Sequence, residues 1–116
     1  MNIINLRGTI ELGDCIPNDR EDVKMTLKTA CDYGLEGITI EDDVIFIDST
    51  FNNENLFAEN LAVLISSKLP IGHEDLILEC IGENLNDRYD IIVKTNKVYI
   101  REYELTPCEL TLYTIK

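Results

Sequence analysis

The last third of the chain is a succession of short alternating runs whose connections are too short to return by a helix. Leu76, Leu78 and Cys80 alternate with Ile77, Glu79 and Ile81, and strand-like runs at 89–94, 97–103 and 108–115 follow. Turn-forming residues at 84–87, at Thr95-Asn96 and at Thr106-Pro107 separate them. Parallel neighbours need a crossover of about a dozen residues or more, so strands joined this way run antiparallel.

The first two thirds add two helices to that sheet. Ile4, Leu6, Ile10 and Leu12 share one face of an opening strand over residues 3–12, which Gly13, Asp14 and Pro17 break. Asn18 and Glu21 have the spacing of a capping box. Val23, Leu27, Ala30 and Cys31 then recur at helical spacing, and Gly34 suits the residue just past a helix end, so a helix is expected over 19–33. The runs 37–41 and 44–48, with Asp42 and Asp43 between them, read as a hairpin. Asn52 to Asn55 offer N-caps, Phe57, Leu61, Leu64 and Ile65 make the inward stripe of a second helix, and Pro70 ends it. The expected class is α+β: a mainly antiparallel sheet of six to seven strands with two helices on one face, in the order β-α-β-β-α-β-β-β-β. Leu27, Leu61, Ile65, Leu78 and Ile91 should be buried.

With 116 residues, 45% of them hydrophobic, the chain fits one domain with a core of its own. No apolar run approaches the roughly 20 residues of a membrane span, and the first residues lack the charged and apolar regions of a signal peptide. Cys15, Cys31, Cys80 and Cys108 are widely spaced and form no CxxC pair, so reduced thiols in a cytoplasmic protein are expected. The abundance of Ile, Asn and Glu points to an AT-rich genome, such as that of a low-GC bacterium or its phage.

Several residues invite a chemical reading beside a plainer one. His73, the single histidine, lies between Gly72 and Glu74-Asp75. It reads as a loop histidine; the alternative is a general base or metal ligand. Convergence of His73 with the four cysteines on zinc would lack the close ligand pairs that structural zinc sites use. Glu41, Asp42 and Asp43 suit a solvated turn, or a hard cation outside any EF-hand pattern. In the stretch Asp87-Arg88-Tyr89-Asp90, Arg88 should pair with an acid on the sheet. Tyr89, Tyr99, Tyr103 and Tyr113 fall on the C-terminal strands, where they could line one face. No GxGxxG, P-loop or GxSxG motif occurs, and no cofactor is expected.

Charge is the outstanding feature. The net charge is −12. Between residues 29 and 87 the one base, Lys68, stands against Asp32, Glu36, Glu41, Asp42, Asp43, Asp48, Glu54, Glu59, Glu74, Asp75, Glu79, Glu83 and Asp87. Both ends are close to neutral. Such a balance argues against direct contact with nucleic acid or an anionic membrane and favours a basic partner. The expected binding residues are Asp32, Glu36, Glu41, Asp42, Asp43, Asp48, Glu54, Glu59, Glu74 and Asp75.

LRGTIEL at 6–12 and GENLNDRYDIIVKTNKVY at 82–99 resemble a pattern seen in small uncharacterised bacterial and phage α+β proteins. That likeness implies a similar fold and no activity. In size and charge the chain is also similar to acidic phage-encoded inhibitors of host defence, including anti-CRISPR proteins. The expectation is a non-enzymatic nucleic-acid mimic on the basic surface of a nucleic-acid-binding defence protein. The alternatives are an accessory homodimer of a mobile element and a metal-dependent enzyme using the carboxylates.

Overall fold

A computed structural model describes residues 2–83, 87–102 and 110–113, the last four by backbone alone. Seven strands form one antiparallel sheet: β1 (Ile3–Glu11), β2 (Ile38–Glu41), β3 (Val44–Asn52), β4 (Leu76–Gly82), β5 (Arg88–Lys94), β6 (Lys97–Glu102) and β7 (Leu110–Tyr113). Two helices interrupt them, α1 (Pro17–Asp32) after β1 and α2 (Phe57–Lys68) after β3. The strand order across the sheet is β2-β3-β1-β4-β5-β6-β7. Consecutive short connections therefore do give antiparallel neighbours, and the α+β architecture is the expected one.

The period of two puts Ile4, Leu6, Ile10, Ile45, Ile47, Leu78, Cys80, Ile91, Val93 and Val98 on one face, all buried. Val23 and Leu27 of α1 and Leu61 and Ile65 of α2 pack on that face and close the core. Leu27, Leu61, Ile65, Leu78 and Ile91 are each at most 2% exposed, as their spacing predicts. Among the described residues the opposite face carries no helix. Across it, neighbouring strands set Asp48 beside Arg7, Arg7 beside Glu79, Glu79 beside Asp90, and Asp90 beside Arg101.

The helix ends differ in how well the residues announced them. At its C-terminus α1 closes as a Schellman motif: Leu35 N–H donates to Ala30 C=O at 3.0 Å and Gly34 N–H to Cys31 C=O at 3.0 Å. Gly34 sits at φ +105, where a side chain would be strained. At the N-terminus Asn18 and Glu21 form no capping box. The helix starts earlier, with Ile16 as N-cap and Pro17 in the first turn, where a missing N–H costs nothing. Pro17 thus opens the helix rather than only breaking the strand. For α2 the N-cap is Leu56, in the left-handed region at φ 55 and not one of Asn52 to Asn55, while Asn53 from three residues earlier accepts at Oδ1 from Ala58 N–H at 3.0 Å. Leu69 is extended, as the residue before Pro70 must be.

The tyrosines do not share a face. Tyr89 lies with Ile91 on the helix side, whereas Tyr99 pairs with Ile92 on the open side, and alternation explains the split. Tyr103 and Cys108 lie outside the described residues, as do residues 84–86 of the expected turn at 84–87 and the expected turn at 106–107.

Candidate interaction surface

The tip of the β2–β3 hairpin builds an acidic end. Asp42 makes the tight turn at φ 51, a left-handed conformation that Asp tolerates. Glu41 and Asp42 are exposed and make no ion pair among the described residues. Leu12 N–H donates to Asp43 C=O at 2.8 Å, so the tip is fixed against the end of β1. There Glu11 and Asp14 are exposed as well. His73 extends the surface: its Nε2 lies 3.1 Å from Glu11 C=O and its Nδ1 2.7 Å from Glu74 C=O. Glu11, Asp14, His73 and Glu74, with Gly13 and Gly72, line an open cleft of about 500 Å³.

Folding also neutralises much of the charge that is segregated along the chain. Asp43 receives Arg20 at 2.9 Å and Lys24 at 3.4 Å, both from α1. Asp48 receives Arg7 at 3.4 Å, and the Asn5 amide, with Arg7 behind it, holds its carboxyl below the usual range. Asp75 receives Lys94 at 2.7 Å and Glu79 receives Arg88 at 3.8 Å, the partnership foreseen for Arg88 on the sheet. Lys68, the lone base of the acidic stretch, lies 3.2 Å from Asp22 and 3.5 Å from Asp19, joining α2 to α1. The nearly neutral ends of the chain thus lend their cations to its middle.

Glu59 belongs to the interior. It is 6% exposed, and its carboxylate accepts from the Asn53 amide at 2.8 Å and from the Tyr89 hydroxyl at 2.9 Å. Cys80 completes this polar cluster beneath α2. Burial pushes its thiol up to about 12, and burial likewise raises the Tyr89 phenol. Cys15 is also buried and its thiol raised, by desolvation first and by Asp19 and Asp14 next. Cys15, Cys31 and Cys80 are free thiols. Among the described residues no group of three or more His, Cys, Asp and Glu side chains is placed to hold a metal ion.

Asp32, Glu36 and Glu54 stand elsewhere. They flank the far end of α1, where Tyr33, Phe51, Phe57, Thr29, Asn52 and Asn55 help to line a second cleft of about 580 Å³. The ten acids chosen from the sequence therefore separate into an acidic end (Glu41, Asp42, Glu74), a group at the opposite end (Asp32, Glu36, Glu54), and internal partners (Asp43, Asp48, Glu59, Asp75). Glu11 and Asp14 join the acidic end without having been foreseen. Their stretch of sequence is electrically balanced, and the pairing of Glu11 with Val44 and of Leu12 with Asp43 brings them to the hairpin tip.

No family model, curated protein or solved structure matches this chain.

Proposed function

We propose that the domain is a non-catalytic binding protein whose acidic end occupies a basic groove of a nucleic-acid-binding protein, in the place of the nucleic acid. A host-defence nuclease countered by a phage or mobile element is the setting that suits such a device. One observation carries the reading: Arg7, Arg20, Lys24, Lys68, Arg88, Lys94 and Arg101 all lie against carboxylates of their own chain, yet Glu11, Asp14, Glu41, Asp42 and Glu74 remain exposed together without an ion pair among the described residues. Gathering like charges costs stability through self-repulsion, and it speeds encounter with a surface of opposite sign.

The test is a pull-down from cells carrying defence systems, followed by binding measurements on the captured partner. Affinity should fall steeply with salt, because the screening length shrinks from about 10 Å at 0.1 M to about 3 Å at 1 M. A Glu41→Gln, Asp42→Asn, Glu74→Gln variant should associate more slowly, and a nucleic acid oligomer should compete for the partner. A partner bound equally at both salt concentrations, and indifferent to the triple variant, would sink the proposal.

A further inference from the structure

The cleft at the C-terminal end of α1 has a different chemistry from the acidic end. None of its lining side chains is charged. Phe51 and Phe57 stand edge to face, centroids 5.5 Å apart and planes at 87°, so the two rings form a corner. Tyr33, 89% exposed, is the third aromatic wall. Thr29 and Asn55 add a hydroxyl and an amide to the lining.

The electrostatic surroundings of this neutral corner are mainly negative, exposed Lys28 being the base that precedes Thr29. The C-terminus of α1 is the negative end of its dipole, and no basic residue lies in the last turn to offset it. Asp32 and Glu36, both exposed, bracket the turn that carries Tyr33. Three aromatic walls inside a negative field suit an organic cation, which gains from the ring faces and sheds little hydration on a neutral lining. A planar guanidinium suits such walls better than an ammonium, because it stacks and is more weakly hydrated. The volume lies within the roughly 300–1,000 Å³ of ligand pockets.

We infer that this cleft receives an arginine side chain of the basic partner, as an anchor separate from the acidic end; the identity of the donor rests on the binding role proposed above. The cleft and the hairpin tip lie at opposite ends of α1, so one partner touching both would span that helix.

The experiment is an amide NMR titration of the whole chain with N-acetyl-arginine amide, and with N-acetyl-citrulline amide as an uncharged probe of the same shape. Arginine should shift Tyr33, Gly34 and Asn55, and citrulline should bind several-fold more weakly. Tyr33→Ala, at an exposed position, should leave the fold intact and weaken the arginine probe about three- to ten-fold. Equal binding of the two probes would overturn the inference, as would the absence of shifts. Shifts confined to Glu41, Asp42 and Glu74 would overturn it too, while leaving the acidic end standing. Conversely, a partner lost with Tyr33→Ala but indifferent to the acidic-end variant would support the cleft and remove the first proposal.

Discussion

The Arg20 guanidinium lies 2.9 Å from the Asp43 carboxylate, joining the first turn of α1 to the β2–β3 hairpin. Lys24, one turn further on, lies 3.4 Å from the other oxygen. Within the triplet of Glu41, Asp42 and Asp43, the third acid is thus part of the framework and the first two face solvent.

Replacing each acid of the triplet should separate these roles. Asp43→Asn should lower stability by about 0.5–1 kcal/mol, the range for partly exposed ion pairs. Glu41→Gln and Asp42→Asn should stay within about 0.5 kcal/mol, and Asn accepts the φ of 51 at position 42. Urea midpoints decide the matter; three equal midpoints would mean that the Arg20 and Lys24 contacts hold nothing.

The Tyr89–Glu59 contact should be strongly coupled. Tyr89→Phe leaves a buried carboxylate oxygen short of a donor and should cost about 1–3 kcal/mol. The double variant Tyr89→Phe, Glu59→Gln should cost less than the two singles together, by about 0.5–3 kcal/mol for groups in one network. Strict additivity would show that the hydrogen bond is not what ties β5 to α2.

Leu61 should be the weight-bearing residue of α2. It is 2% exposed against the sheet, so Leu61→Ala should cost about 2–5 kcal/mol. Met25→Ala, on the outer side of α1 at 60% exposure, should change stability by no more than about 0.5 kcal/mol. Similar melting temperatures for the two variants would contradict the packing.

Alkali should unfold the protein through its buried cluster. Burial pushes the Cys80 thiol from its ordinary 9.0 up to about 12, so between these values the folded state holds a proton that the unfolded chain releases. Its contribution is complete below about pH 9 and is lost as pH rises toward 12. The raised Tyr89 phenol adds a second loss above 10. Denaturation curves across this window should show the decline, and Cys80→Ala should flatten its lower part; a variant with an unchanged slope would exonerate the thiol. Site-resolved alkylation of the native protein should label Cys31 before Cys15 and Cys80, since of these three Cys31 alone is partly exposed.

Local regularities carried most of the fold. The alternation of Ile4, Leu6, Ile10 and Leu12 marked β1, and Gly34 marked the end of α1, because each reports a constraint acting within a few residues. Asn18 and Glu21 have the spacing of a cap but lie inside the helix, which begins one residue earlier at Pro17. The candidate site was less legible. Charge counts along the chain cannot say that Asp48 meets Arg7 or that Asp43 meets Arg20, since those contacts depend on which strands become neighbours. Glu59 looked like one more surface acid because its donors, Asn53 and Tyr89, come together only when α2 lies over β5. Glu11 and Asp14 were hidden by the same cause.

The strand order has a consequence for synthesis on the ribosome. β1 leaves the exit tunnel before every other strand, yet it ends between β3 and β4. Its residue Leu6 must wait for Ser49 on one side and Cys80 on the other. Until β4 emerges, the nascent sheet shows an unpaired backbone edge along β1, the kind of edge that recruits other chains. A ribosome pausing between α2 and β4 would keep that edge of β1 open for as long as the pause lasts, so slower synonymous codons in that stretch should lower the yield of native protein.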